Sequence, residues 1–195
     1  MLAKEKHQRI LDAALVQFTQ YGFQRTSMND IAQHAEISRA SLYSYFQNKD
    51  EIFRSVSVAV HERLLVEVDA VLGDGDASDL TERVFRALFI RHSRFLNLVL
   101  DSSHGAELED EYSRLCGDVV AGANVKFEAR LTAVFEMLQN GGKKRQGAHP
   151  VPAAEAARLL NLAAAGCKRG ATDVKQFERR IRGLAAIYVQ GVQAI

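Results

Sequence analysis

Residues 9–53 read RILDAALVQFTQYGFQRTSMNDIAQHAEISRASLYSYFQNKDEIF, and this stretch decides the fold class. Over residues 4–21 apolar side chains recur at the three- and four-residue spacing of an amphipathic helix. Gly22 follows that pattern, and glycine commonly ends a helix because it accepts the left-handed conformation at low energy. The stretch is therefore expected to begin with a helix that ends at Gly22.

Two short helices are predicted next. Ser27 with Asp30 three residues later is typical of a capping box at the start of a second helix. Ser38 is placed to cap a third helix, on which Leu42 and Phe46 lie one turn apart as buried anchors. Two short helices joined by a tight turn, the second led by small polar residues, indicate a helix-turn-helix whose second helix enters the DNA major groove.

Helical patterns also cover the remainder of the chain, and the sequence contains no strand pattern or internal repeat. An all-α fold of about nine helices is therefore predicted. The later helices are expected over about residues 49–72, 78–100, 107–139, 152–167 and 173–192, with a basic loop at 140–149.

The composition is that of a globular protein: 195 residues, 47% of them hydrophobic and 25% charged, with no tryptophan and two prolines. No apolar run approaches the roughly 20 residues that a membrane span needs, and no apolar signal segment follows the first charges. We therefore expect a cytoplasmic protein with no membrane partner and no cofactor. Cys116 and Cys167 lie far apart and fit no metal-ligand spacing, which favours reduced thiols over a disulfide.

Bulk charge gives little support for nucleic-acid binding, because the net charge is +1 and residues 1–54 carry seven basic and six acidic side chains. The distribution of charge is more informative. No acidic residue lies between Glu36 and Asp50, whereas Arg39 and Lys49 do. An acid-free stretch rich in hydroxyls and aromatic rings is typical of a surface that lies against phosphates.

The same residues resemble the DNA-binding domain of TetR-family (tetracycline-repressor) regulators. The shared features, in chain order, are a first-helix segment, the Tyr-Gly-Phe break at 21–23, the hydroxyl pair at 26–27, the Leu-Tyr-Ser-Tyr-Phe run at 42–46 and the Asn-Lys-Asp-Glu start of a fourth helix at 48–51. The resemblance implies a three-helix, helix-turn-helix DNA-binding domain over residues 1–50. It implies a helical ligand-binding and dimerisation domain over residues 51–195.

The resemblance also implies that Thr26, Ser27 and Lys49 hold backbone phosphates. Hydroxyls and amides at a helix start form an anion site, to which a lysine adds a point charge. Arg39 is suited to a guanine edge and Ala40 to a thymine methyl. The full set of expected DNA contacts, in which the two tyrosines brace phosphates, is Thr26, Ser27, Ser38, Arg39, Ala40, Ser41, Tyr43, Ser44, Tyr45 and Lys49.

Other interpretations of these positions stay open. Ser38 can be a helix cap alone, and Ser27 can combine capping with a phosphate contact. Arg39, at an exposed helix start, can be a solvated side chain. Glu36 occupies a turn position where the family usually has glycine, so a left-handed residue is expected there at a cost on the order of 1 kcal/mol.

The second half of the chain is expected to hold a dimer seam and an effector pocket. Apolar and small residues of the last helix recur in steps of four and three, as in a helix-pairing seam, and packing within one chain is the alternative. Expected dimer contacts are Leu160, Ala164, Phe177, Ile181, Leu184 and Tyr188. Candidates for the pocket, with ordinary core packing as the alternative, are Phe89, His92, Phe95, Val120 and Asn124. The spacings of His92, His104 and Cys116 match no metal-ligand pattern, so no metal is expected.

The sequence carries no nucleophile-base signature, paired-carboxylate signature or phosphate loop, so an enzyme is not expected. The resemblance implies a transcription regulator that binds double-stranded operator DNA at a palindrome as one or two homodimers. It further implies release by a small, largely apolar effector. Repression is the family's majority behaviour and is expected here, with an activator of the same fold or a protein-binding helical adaptor as the alternatives.

Overall fold

A computed structural model describes residues 3–73, 80–141 and 151–194 of the chain. Within these ranges it contains nine α-helices and no strand, which confirms the predicted all-α class. The helices are α1 (Ala3–Tyr21), α2 (Met28–His34), α3 (Arg39–Tyr43), α4 (Lys49–Gly73), α5 (Leu80–Asp101), α6 (Gly105–Leu115), α7 (Gly117–Gly141), α8 (Ala153–Gly166) and α9 (Val174–Ala194). The loop predicted at 140–149 lies almost entirely outside the described residues.

The single helix predicted over 107–139 is wrong, because α6 and α7 are separate helices. Cys116 interrupts them with non-helical angles, φ −120° and ψ 12°, while its side chain is fully buried. Gly117 follows directly, and glycine weakens a helix by about 1 kcal/mol relative to alanine. The apolar pattern continues on both sides of the break, so periodicity did not reveal it.

The helices group into two compact units. Unit 1 consists of Met1–Glu62 and Asn97–Ala121, and unit 2 consists of Arg63–Leu96 and Gly122–Ile195. Helices α4, α5 and α7 each contribute residues to both units. The compact unit that contains the first three helices therefore also includes α6 and the first residues of α7.

Aromatic rings form the centre of unit 1. Phe18 of α1, Phe23 of the α1–α2 turn and Phe53 of α4 are buried, and their ring centroids lie 5.2–5.4 Å apart. Tilted and edge-to-face rings at this separation contribute roughly 0.5–1.5 kcal/mol per pair beyond the area they bury. Leu42 and Phe46 are buried in the same core as predicted, but α3 ends at Tyr43, so Phe46 lies beyond the helix on which it was expected.

The predicted helix signals of this unit are confirmed. Gly22 adopts φ +83° after α1. Ser27 accepts a hydrogen bond from the Asp30 backbone amide, and the Asp30 carboxylate accepts one from the Ser27 amide, which completes the capping box of α2. Ser38 caps α3 by accepting from the Ser41 amide at 3.1 Å.

Glu36 has φ +53° and is the one non-glycine residue with positive φ in the described ranges. Arg9 of α1 lies against this turn: its Nη2 donates to the Ala35 carbonyl at 2.6 Å and to Glu36 Oε2 at 3.0 Å. The Arg9–Glu36 ion pair is largely solvent-exposed and contributes little by itself. The bond to Ala35 occupies a carbonyl at the end of α2, which helps to hold the strained turn.

Unit 2 has its own apolar core, built from α4, α5, α7, α8 and α9. Phe89 of α5 stacks between Phe85 and Phe177, at centroid distances of 5.9 and 6.1 Å. The Arg182 guanidinium lies 3.7 Å from the centroid of the Phe85 ring. No helix in the described part of the chain has the length and apolar character to cross a bilayer.

Replacing Glu36 with glycine is expected to stabilise the protein, because glycine adopts a positive φ without the steric cost of a β-carbon. The gain, about 0.5–1 kcal/mol in free energy of unfolding, is the relief of strain less the extra chain entropy of glycine. Denaturant titration measures it. Glu36→Gln, which keeps the strain and removes the ion pair, is the control and should not be stabilised. Equal stabilities for Glu36→Gly and Glu36→Gln would contradict the proposed strain.

Candidate nucleic-acid interface and sensor core

One side of α3 faces solvent while Leu42, on the opposite side, is fully buried. The solvent-facing positions form a continuous arc of the helix, and Tyr43 is 43% exposed. Ser41 and Tyr45 lie half-buried at the edge of this arc. We call the exposed arc the α3 face; it consists of Arg39, Ala40, Tyr43 and Ser44.

Two side chains of the α3 face contact each other. The Arg39 Nη2 atom lies 3.5 Å from the Tyr43 hydroxyl oxygen, and the guanidinium carbon lies 5.5 Å from the centroid of the Tyr43 ring. This contact orients the guanidinium along the helix and leaves it on the solvent side. A planar, oriented guanidinium is suited to bidentate hydrogen bonding with a guanine edge.

The start of α1 lies beside α3, which sequence reasoning missed. Lys6 Nζ is 3.5 Å from the Ser41 hydroxyl, and the His7 ring lies 6.3 Å from the Tyr45 ring. Lys6 therefore places a positive charge next to the α3 face. No local signal identifies this residue, because 35 positions separate it from Ser41 and only tertiary packing brings the two together.

The two predicted serine caps are present, and each hydroxyl is used in capping. Ser27 Oγ accepts from the Asp30 amide at 3.2 Å and donates to Asp30 Oδ2 at 2.7 Å. The hydrogen bonds from the Ser27 hydroxyl and amide lower the pKa of Asp30. Ser27 is exposed, so its contact with a phosphate stays a prediction beside its confirmed capping function.

Two of the expected phosphate contacts do not fit the geometry. Thr26 is 2% exposed, and its hydroxyl donates to the Gly22 carbonyl at 2.7 Å, so we correct the expectation for this side chain. The Lys49 ammonium points at backbone carbonyls of the α1–α2 turn. Both side chains therefore bond within unit 1.

Two of the sensor candidates of unit 2, His92 and Asn124, make polar contacts within that unit. His92 is 3% exposed, and its Nε2 lies 3.0 Å from Asn161 Oδ1. Asn161 Nδ2 donates to Glu128 Oε1 at 2.7 Å, and Arg91 Nη2 donates to Asn124 Oδ1 at 2.7 Å. Burial holds the pKa of His92 well below its usual value of 6.5, so the ring is neutral.

The protonated nitrogen of His92 follows from this network. The Glu128 carboxylate accepts, so the Asn161 amide nitrogen faces Glu128 and its oxygen faces His92. His92 Nε2 therefore carries the hydrogen, and Nδ1 is a lone-pair acceptor. Nδ1 is buried and has no hydrogen-bond partner among the described residues.

The five residues expected to line a pocket are divided between the two units. Phe89, His92 and Asn124 belong to unit 2, whereas Val120 belongs to unit 1. The Phe95 side chain lies outside the described residues.

A groove of about 850 Å³ lies within unit 1 and is mainly polar, which does not suit a largely apolar effector. It is lined by Gln17, Gln20, Tyr21, Arg25, Asp30, Gln33, His34, Glu36 and His104.

Four of the six residues expected at a dimer surface are not on the surface of the chain. Leu160, Ala164, Phe177 and Ile181 are all fully buried in the core of unit 2. Leu184 and Tyr188 are partly buried against the same core, and the Tyr188 hydroxyl donates to the Ala156 carbonyl at 2.5 Å. The predicted seam is thus mainly packing within one chain. Apolar residues on the outer sides of α8 and α9 are Leu159 (45% exposed), Leu162 (56%) and Ile187 (75%).

Comparison with known proteins agrees with this architecture. Residues 10–56 match the family described as bacterial regulatory proteins, tetR family. The chain is 35% identical over 54 residues to the probable acrEF/envCD operon repressor of Escherichia coli, which covers 28% of this chain and 24% of the relative. It is 28% identical over 103 residues to the biofilm operon negative transcriptional regulator IcaR of Staphylococcus epidermidis, covering 51% and 54%. The chain thus spans from about a quarter to about half of the length of these relatives.

The fold as a whole is similar to solved structures. SmeT, the repressor of the Stenotrophomonas maltophilia multidrug efflux pump SmeDEF, superimposes with a TM-score of 0.65 over 95% of this chain and 89% of its own, at 20% identity. SmeT has also been solved in complex with triclosan. At this identity the similarity establishes the fold.

The neutral His92 is expected to make stability fall in mild acid. Its pKa is about 6.5 in the unfolded chain and lower in the folded one, so the unfolded state binds more protons as the pH falls below 6.5. The free energy of unfolding should therefore be highest above pH 6.5 and decrease below it, by up to about 1.4 kcal/mol per pH unit from this group. Urea titrations of the wild type and His92→Gln across this range measure the difference. If the stability of both proteins changes with pH in the same way, the proposed contribution of His92 is contradicted.

Proposed function

The chain belongs to the TetR family of bacterial transcription regulators, and on this premise we propose that it is a homodimeric repressor released from a palindromic operator by a small molecule. We propose residues 1–50 as the DNA-binding part and residues 51–195 as the ligand-binding and dimerisation part. Repression is favoured because the acrEF/envCD repressor, IcaR and SmeT are all described as repressors or negative regulators.

The α3 face is the observation that carries the DNA-binding proposal. Leu42 anchors α3 in the core of unit 1, Phe46 is buried in that core just after the helix ends, and Ser38 caps the start of the helix, so its solvent side is presented by a fixed helix. Arg39, paired with Tyr43, is the main candidate for reading a base. Lys6 beside Ser41 adds a charge suited to a neighbouring phosphate.

Replacing Arg39 with alanine is expected to relax sequence preference, with a loss of about 1–3 kcal/mol on the preferred site. Tyr43→Phe removes only the hydroxyl and should weaken all sites to a similar degree. Selection from randomised double-stranded DNA, followed by fluorescence anisotropy on the selected and scrambled sites, measures both effects. An unchanged selected sequence for Arg39→Ala would exclude this residue from base reading.

Dimerisation is proposed through the outer sides of α8 and α9. Leu159 and Leu162 are three residues apart on α8, so their exposed side chains share one side of that helix. Ile187 is exposed on α9 between Gly183 and Gly191, and a β-carbon at either glycine would meet open space. A second copy would bury these apolar side chains, and a two-fold pair matches a palindromic operator.

The double variant Leu162→Glu, Ile187→Glu is expected to dissociate the dimer, because two unpaired charges would be buried at the interface. The dissociation constant should rise at least about a hundredfold, an effect of about 2.7 kcal/mol. Sedimentation equilibrium measures it. Val125→Glu, a matched charge at a 68% exposed apolar position of α7, should remain dimeric. A double variant that sediments as the wild-type dimer would place the interface elsewhere.

The effector is proposed to be a largely apolar molecule with one hydrogen-bond donor, bound in unit 2. The aromatic stack around Phe89 suits the apolar part of such a molecule, and the lone pair of His92 Nδ1 can accept a hydrogen bond from its donor.

Triclosan, which SmeT binds, combines aromatic rings with a phenolic hydroxyl and is a suitable probe. Because linkage is reciprocal, calorimetry should show weaker triclosan binding in the presence of operator DNA, and equal affinities would contradict release by this ligand.

A further inference from the structure

The α1–α2 turn, residues 22–27, is held by oppositely charged side chains from α4 and α6. We propose that Lys49 and Glu107 are positioning residues that clamp this turn, and that Lys49 supports DNA binding through the turn and not through a phosphate. The inference rests on the proposed DNA-binding function. It assigns to Lys49 a function different from the one that the family resemblance implied.

The donors of Lys49 are used within the chain. Its Nζ lies 2.6 Å from the Phe23 carbonyl oxygen, 2.9 Å from that of Thr26 and 3.4 Å from that of Gln24. An ammonium group has three hydrogens, and three carbonyls surround it. Nζ also lies 4.3 Å from the centroid of the Phe23 ring. A phosphate oxygen would have to displace a carbonyl to bond this lysine.

Carboxylates of α6 bond the amide groups of the same turn. The Gln24 backbone amide donates to Glu107 Oε1 at 2.6 Å, and the Gln24 side-chain amide donates to Glu111 Oε1 at 2.7 Å. A β-carbon at Gly22 would overlap Glu107 Oε2, so the α6 carboxylate lies directly against the backbone there. The Lys49 ammonium group therefore donates to carbonyl groups of the turn, and the carboxylates of Glu107 and Glu111 accept from its amide groups.

The turn leads directly into α2, which explains how the clamp affects DNA binding. Ser27, the cap of α2, follows Thr26, whose carbonyl is held by Lys49 and whose hydroxyl is bonded to Gly22. Lys49 is partly desolvated, and burial lowers its pKa while the charges of Asp50, Glu111 and Glu107 oppose that shift. Loss of either side of the clamp would let the start of α2 move relative to α3, so the groups that contact DNA would lose their fixed spacing.

The salt dependence of DNA binding separates positioning from phosphate contact. The logarithm of DNA affinity falls linearly with the logarithm of salt concentration, and each phosphate that the protein neutralises makes this slope steeper by about 0.9. For Lys49→Met we expect affinity at fixed salt to fall about tenfold, or about 1.4 kcal/mol, with the slope unchanged. Anisotropy titrations at several salt concentrations, well below the unfolding temperature of each variant, measure both quantities. A slope reduced by about 0.9 would overturn the proposal.

Glu107 supplies a second test in which the two explanations predict opposite signs. Removing a negative charge from a DNA-binding unit strengthens binding electrostatically, whereas loss of the clamp weakens it. We expect Glu107→Leu to bind DNA about tenfold more weakly. Glu109→Leu removes the same charge from an exposed position on α6 and should bind at least as tightly as the wild type. Tighter binding by Glu107→Leu would overturn the proposal.

Hydrogen exchange of the Gln24 backbone amide tests the clamp without DNA. We expect this amide to exchange at least about tenfold faster in Lys49→Met and Glu107→Leu than in the wild type or Glu109→Leu. Unchanged exchange would overturn the clamp even if the protein binds DNA. Conversely, if the two variants exchange faster but the wild-type protein shows no salt-dependent DNA binding, the proposed function is contradicted and the clamp is supported.

Discussion

The contact among the rings of Phe18, Phe23 and Phe53 is the constraint on which unit 1 depends. It joins α1, the α1–α2 turn and α4 through apolar burial, which needs no directional partner. Because Phe23 is fixed by its ring, its carbonyl is presented to Lys49, the first residue of α4. The ring contact thus fixes the position of the turn, and the hydrogen bonds of the turn then fix its backbone conformation.

Each unit contains a set of polar groups that bond to partners within the chain. In unit 1 the carbonyls and amides of the α1–α2 turn are bonded to Lys49 and Glu107, as buried or partly buried backbone groups require. In unit 2 the chain from His92 through Asn161 to Glu128 satisfies buried polar atoms at every point except His92 Nδ1. Because the net charge is nearly balanced, the proposed DNA binding would depend on the placement of a few side chains and less on bulk electrostatic attraction.

Local signals in the sequence were sufficient for the class of fold and for the helix-turn-helix. Capping boxes, glycine ends and apolar spacing act within one or two turns, so they can be read without a partner segment. Ser27, Ser38 and Gly22 behave as predicted, and so does the left-handed Glu36. The motif at residues 9–53 was equally sufficient for the family, because its features are consecutive in the chain.

Only the tertiary structure decided which partner each side chain has. Leu160 and Ile181 are buried while Leu162 and Ile187 are exposed. Leucine and alanine occur on both the buried and the exposed side of α8, so apolar spacing does not decide which of its leucines are buried. The break at Cys116 depends on burial of that side chain in unit 1. Contacts such as those of Lys49 join residues more than 20 positions apart, and spacing along one chain carries no information on them. The sequence by itself determined the all-α class and the helix-turn-helix, whereas packing between distant segments determined the break between α6 and α7 and which side chains are buried or exposed.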